Sequence, residues 1–425
     1  MRSFESPRLR RTAVFAIVIS VLFLLHLCDD YANITPLYWQ SAQLKGGRSW
    51  DIAPIEPYWE WNYTTDANNL LLTHTHCEQA FHGLFKPIDQ SVRRHRAPYN
   101  KVKLSDLDQV SGTKGVVRAM IYDQQLYVIS TAGSISKRSL EVLAQINRAL
   151  VTSPEEVANI EFTFTTEERS SHYSRSSASA KTWAFARAPT DHKTWLMPDY
   201  TSFSWPEAGP IESFHDARRR AEAIDTIDWE QKKPHLHWRG STSSISQHPD
   251  FLSSTANAPW ADVQITSSPQ HQHHHETNLS SSPCESKYLA HPETSSYNNH
   301  LKYLQLCTSV LLLPSSLKWT TSHTHLLQPT GPEQNYLEVS DDWSDVRAKI
   351  RHLQSWDTLG ERIARNGARA WRERWATPAA EVCEWRRLMR GWREGMGFEV
   401  EFYDEGRERG VLWERFVLER VGGEG

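Results

Sequence analysis

Residues 116–164 read VVRAMIYDQQLYVISTAGSISKRSLEVLAQINRALVTSPEEVANIEFTF, and this stretch decides the fold. Val116–Tyr122 has the apolar, β-branched character of a strand, and Leu126–Ile129 is placed to return beside it as a hairpin partner. Leu140, Leu143, Ile146 and Leu150 recur at helical spacing and predict one apolar helix face. Ile160-Glu-Phe-Thr-Phe164 then alternates apolar and polar like a strand. Strand, helix and strand in succession predict an α/β layered fold.

Working outward, Tyr303–Leu313 reads as a helix end running into a buried strand. Ser344 is placed to cap a helix bearing Val346, Ile350 and Leu353. Two more helices, 361–375 and 381–392, are separated by Pro378. Residues 241–283 are rich in Ser, Thr and His and predict a largely flexible insert. The consecutive histidines of Gln270–His275 lack the spacing of a dedicated metal site.

Toward the N-terminus, residues 29–76 are polar and aromatic with no sustained period, and predict a stem. Before them, Thr12–Cys28 is apolar, with Arg2, Arg8, Arg10 and Arg11 ahead of it and Asp29 and Asp30 after it. A spanning helix needs roughly 17–25 apolar residues, so this run is near the lower limit. The arginines predict a cytosolic tail, 1–11, and a lumenal bulk. A cleaved signal peptide is the other reading. Asn33, Asn62 and Asn278 head acceptor sequons for N-glycosylation, which agrees with a secretory location.

The 425 residues suit two or three domains, and 39% hydrophobic content suffices for a core. A net charge of −4 gives no reason to expect a nucleic-acid partner. The 18 tryptophans suit either sugar-stacking platforms or ordinary core packing. Five cysteines in a lumenal chain allow two intrachain disulfides with Cys28 left over, and the other four permit three pairings.

Five segments, in order, carry a resemblance. They are Ile160–Glu168, Trp195–Gly209, His237-Trp-Arg-Gly-Ser241, Cys284–Tyr288 continuing at Leu301–Cys307, and Pro332–Val346. Together they resemble glycosyltransferase family 90, which includes fungal capsule-associated xylosyltransferases and Rumi-type protein O-glucosyltransferases. The resemblance implies a GT-B architecture of two Rossmann-like domains. The expected parts are an acceptor-side domain at 77–190, a donor domain at 191–375, and a C-terminal helix and tail, 376–425, returning to the first domain. It also implies the pairings Cys284–Cys307 and Cys77–Cys383.

The implied reaction is inverting transfer of a sugar, xylose or glucose, from a UDP-sugar to a glycan or protein hydroxyl. No metal or other cofactor is expected, and Asp106-Leu-Asp108 reads as a solvated turn or helix face rather than a metal motif. Glu168 aligns with the catalytic base that takes the acceptor proton. It stands where the family usually has Asp, and Glu167 is its alternate. Arg239, Gly240 and Ser241 align with the donor turn, with Lys302 on the following helix. Asp199, Trp205 and Glu207 fall on the acceptor side. The sequence departs from the family at Asn298-Asn299-His300, where a Ser-x-Arg motif is expected. Arg offers phosphate a permanent bidentate fork, whereas His is mostly neutral near pH 7. The resemblance thus implies an enzyme of the Golgi or endoplasmic reticulum membrane, single-pass and type II. The rival expectation is a catalytically weakened member that binds lumenal glycans, and a stalked scaffold is a third. The Met-Pro-Asp and Trp-Pro-Glu segments are more similar to the fungal branch, which favours a polysaccharide acceptor.

Overall fold

The computed structural model describes residues 59–167, 181–199, 214–241, 249–266, 283–294, 297 and 300–421. The N-terminal half contains α1 (Tyr63–Asp66), α2 (His74–Ala80), α3 (Lys86–His95), α4 (Leu104–Ser111), β1 (Val116–Tyr122), β2 (Gln125–Thr131), α5 (Lys137–Val151), β3 (Ile160–Thr165), β4 (Trp183–Ala184), β5 (Ala186–Arg187) and β6 (Trp195–Leu196). A second set follows: α6 (Phe214–Ile224), β7 (Lys233–Ser241), α7 (Pro249–Thr255), β8 (Ala261–Thr266), β9 (Ser286–Ala290), α8 (His300–Leu304), β10 (Val310–Pro314), β11 (Thr320–Thr321), β12 (Leu337–Val339), α9 (Val346–Ser355) and α10 (Asp357–Ala370). After a π-helical turn at Trp371–Trp375 come α11 (Pro378–Gly395), the hairpin β13 (Tyr403–Asp404) and β14 (Arg407–Glu408), β15 (Val411–Leu412) and α12 (Trp413–Val421).

The second sheet runs β12-β10-β9-β7-β8, with every pairing parallel. Counted from its own first strand the order is 2-1-3-4-5, a doubly wound Rossmann-like sheet. The first sheet runs β15-β2-β1-β3-β4-β6 and is mixed. Its β1 is antiparallel to β2 and β3, and β3, β4 and β6 are parallel. The expectation of two Rossmann-like domains therefore fails for the first sheet. Asp123 and Gln124, at φ 48° and 61°, form a tight hairpin turn that reverses the chain before α5 can cross over.

Each sheet has its own core. In the first, α11 lays Val382, Trp385, Leu388 and Trp392 against the sheet beside Trp183 and Phe162. The C-terminal helix thus returns to the first lobe. Cys77–Cys383 fastens it to α2, and Cys284–Cys307 closes a shorter loop around β9. A two-stranded ribbon, β5 with β11, also joins the halves.

Four other expectations are corrected. Packing is established ahead of Cys77, at the first described residues: Trp59, Trp61 and Leu72 join Phe81, Ala379 and Cys383 in one apolar cluster. The isolated aromatics of the expected stem, Trp59 and Trp61, pack on His76 and Phe81 and reach Glu373 O in the π-helical turn, which no local period reveals. The boundary at 190 would sever β6, which pairs with β4 in the first sheet. The expected flexible insert 241–283 contains regular structure. Residues 249–266 form α7 and the edge strand β8, held by buried Phe251 and Trp260; the average composition of the stretch masks these two anchors. Ser344 does not cap α9. Asp345 is the cap residue, and Ser344 N instead donates to Asp342 Oδ1 at 3.0 Å.

Residues 12–28 lie outside the described residues, among which no helix is long and apolar enough to cross a membrane.

Candidate functional site

Open parallel sheets bind ligands beyond the carboxyl ends of their strands, where the strand order reverses. Here that point lies between β7 and β9. The chain leaving β9 and the chain leaving β10 frame a cleft of about 740 Å3, part of it open solvent. His291, Glu293, Tyr297 and Lys302 line one side, Trp319 and His323 another, and Phe185 and Asp199 come from the first lobe. The cleft is therefore a junction between the two sheets.

Its electrostatics are set by burial. Lys302 Nζ lies 4.1 Å from the Phe214 ring, and desolvation holds its ammonium below the usual lysine range despite Asp199, Glu381 and Glu384 nearby. Burial pushes the Glu293 carboxyl up to about 7, although it accepts from the Lys318 backbone N–H. Asp199 Oδ2 accepts from Tyr297 Oη at 2.7 Å, which joins the lobes across the cleft. The His291 and His300 rings stand 6.3 Å apart. Burial works against the charge of Glu384, but His323, 2.9 Å away, outweighs it and keeps the carboxyl below its usual range.

The expected donor residues are divided. Lys302 lines the cleft, and His300, two positions earlier, begins α8. Arg239 turns elsewhere: its Nη2 donates to Asp262 Oδ2 at 2.8 Å and its Nη1 to Asp262 O at 2.8 Å, on β8. Burial resists the charge on Asp262, but the guanidinium prevails and holds that carboxyl below its normal range. Gly240 serves packing, because a Cβ there would fall 2.0 Å from the Trp238 indole. Ser241 ends β7 opposite Thr266. Of the acceptor group, Asp199 lines the cleft. Glu168, Trp205, Glu207, Asn298, Asn33 and Asn278 lie outside the described residues. Glu167 is exposed just past the carboxyl end of β3, folded over Gly115.

The Asp-x-Asp pair has other duties. Asp106 accepts from Lys103 N at 2.8 Å at the start of α4, and Asp108 pairs with Arg118 at 2.7 Å. Asn62 is exposed, its Oδ1 accepting from Thr64 N at 3.0 Å. Sequence reasoning missed Glu293, His323 and Glu384. Glu384 had a signal: with Glu381 it falls at helical spacing on the same face as Leu388 and Trp392. Glu293 had a weaker one, three residues past a buried strand.

The fold and the cleft set the terms for comparison with known proteins. The profile of the family described as Glycosyl transferase family 90 matches residues 77–401, a span holding both disulfides, the whole parallel sheet and every residue that lines the cleft. No curated protein matches the chain. With most of its length in that match, the chain belongs to glycosyl transferase family 90.

Proposed function

We propose that the protein is an inverting transferase that moves a sugar from a UDP-sugar to a hydroxyl, in the lumen of the secretory pathway. One observation carries this reading: the cleft over β9 and β10 sits beside the switch point of a 2-1-3-4-5 parallel sheet and is closed on its far side by the first lobe. UDP would lie over the parallel sheet, with Lys302 nearest its diphosphate. Glu168, or its neighbour Glu167, would take the acceptor proton from the carboxyl end of β3. The acceptor oxygen then attacks the anomeric carbon as the bond to the diphosphate breaks, and UDP leaves with the bonding pair. GT-B-type closure of two lobes fits this arrangement.

The lumenal setting is supported by the two disulfides, which persist in oxidising compartments, and by the exposed sequon at Asn62. Residues 12–28 would serve as a type II membrane anchor. No metal or cofactor is invoked. Xylose or glucose is the expected sugar.

A second reading rests on a specific observation. Arg239 is committed to Asp262, and position 300 carries His. A cleft with so little fixed cation would suit a glycan-binding protein without turnover. UDP titration of the full chain in detergent, followed by UDP release from UDP-xylose and UDP-glucose, separates the two. Micromolar UDP affinity with sugar transfer supports the transferase. Absence of UDP binding supports the second reading. A large affinity gain in His300→Arg would reveal a donor pocket weakened at that position.

A further inference from the structure

Arg93-Arg-His-Arg-Ala-Pro-Tyr-Asn-Lys-Val-Lys103 holds five Arg and Lys residues and no carboxylate, in a chain whose net charge is −4. The run covers the last turn of α3, a short 3-10 helix at Pro98–Asn100 and the entry into α4. Arg93, Arg96 and Lys103 are exposed, and Tyr99 between them is 86% exposed. On other faces Arg365 and Arg415 pair with Glu361 and Glu419. Among the described residues, none of the five cations in this run has a carboxylate partner. Lys101 donates to a carbonyl, Met396 O, at 3.1 Å. Asp106, the first carboxylate after the run, is engaged by Lys103 N at 2.8 Å and by Lys181 at 3.3 Å.

This surface leads to the cleft through Arg187. That residue is 5% exposed, and its only side-chain hydrogen bond among the described residues runs from Nη1 to Thr194 O. Burial holds its guanidinium below the ordinary range, and the charge of Arg94 adds to the shift against a smaller pull from Asp191. Asp191 keeps its own oxygens on Lys193 N, Thr194 N and Thr194 Oγ1. Arg94 Nη1 is likewise buried with no acceptor. Two neighbouring guanidiniums with no carboxylate in contact are a costly arrangement, which an anionic ligand relieves. On β5, Arg187 pairs with Thr320 of β11, whose neighbours Trp319 and Thr321 line the cleft, as does Phe185 two residues before Arg187. The two arginines therefore stand between the basic surface and the cleft.

Charge calls for a polyanion, and the lumenal setting proposed above selects which kind. Nucleic acid is absent there, and the anionic lipid leaflet faces the cytosol. A carboxylate-bearing polysaccharide remains, and exposed Tyr99 offers a ring face to a sugar. We propose that the surface from Arg93 to Lys103 binds an acidic polysaccharide, with Arg94 and Arg187 gripping a uronate carboxylate at the entrance to the cleft. The proposal rests on the transferase reading and narrows its acceptor to a uronic-acid glycan. The test titrates the full chain in a neutral detergent, by calorimetry, with polygalacturonate, neutral dextran and inositol hexakisphosphate, and separately with UDP. Polygalacturonate should bind and dextran should not. Its affinity should fall steeply with salt, because exposed charges are screened beyond about 8–10 Å. Arg93→Glu with Arg96→Glu, and separately Arg187→Gln, should each weaken polygalacturonate by about tenfold. The first pair is exposed, so it reads the surface even where the buried Arg187 variant folds poorly. Arg347→Glu with Arg351→Glu, exposed on α9, makes the same change in net charge and should leave binding unchanged. UDP affinity should stay unchanged in every variant. Absence of polygalacturonate binding, equal losses from the α9 pair, or tighter binding of the hexakisphosphate through the same arginines overturns the proposal. Polygalacturonate binding without UDP binding keeps the surface and rejects the transferase. Sugar transfer from a UDP-sugar without polygalacturonate binding keeps the transferase and rejects the surface.

Discussion

Glu293 should make the stability of this protein depend on pH, and replacing it with Gln should remove that dependence. Its carboxyl is raised by burial from an ordinary 4.5 to about 7. Below pH 4.5 the group is protonated in both folded and unfolded chains and contributes nothing unfavourable. As pH rises toward 7, the unfolded chain releases the proton first while the folded chain retains it, so stability falls. Above pH 7 the folded group is also ionised and the loss levels off. The gap between 4.5 and about 7, with partial solvent access allowed for, corresponds to about 2–3 kcal/mol. Glu293→Gln keeps a carbonyl acceptor for Lys318 N and cannot ionise. Guanidinium unfolding of both proteins across this window isolates the group from other titrating residues. The variant should match the wild type at the acid end and exceed it by about 2–3 kcal/mol at the alkaline end. A difference that stays flat with pH, or one that grows toward acid, refutes the reasoning.

Glu161→Ala should cost about 3–5 kcal/mol in unfolding free energy, because it strands Arg118 and Arg409, now 2.6 and 2.8 Å from a fully buried carboxylate. Gly240→Ala should lower stability by about 1–3 kcal/mol through collision with the Trp238 indole, seen as a lower melting temperature. Replacing Cys284 and Cys307 with Ser opens a cross-link spanning 23 residues and should cost about 3 kcal/mol, measured by denaturant titration under non-reducing conditions.

Glu161 also illustrates where sequence reasoning reached and where it stopped. The alternation in 160–164 correctly announces a strand, but it suggests one wet face. In the structure every residue of β3 is buried, because α11 covers one side and the Arg409 arm reaches the other. A polar residue at a strand position looks the same in sequence whether water or an arginine from 248 residues later satisfies it. The same limit hid the pairing of Arg239 with Asp262. A motif shows that a cation is present, not which way its guanidinium turns.

By itself the sequence determined the α/β class, the strands β1, β2, β3 and β10 and the helix α5, because apolar periodicity is a local property that burial enforces residue by residue. The family resemblance added the two disulfide pairings and the return of the C-terminal helix to the first lobe. Only the tertiary structure decided the mixed first sheet, the turn of Arg239 toward Asp262 and the wall where Glu384 meets Trp375. Those features depend on which distant surfaces meet, and contact between residues hundreds of positions apart leaves no period in the chain.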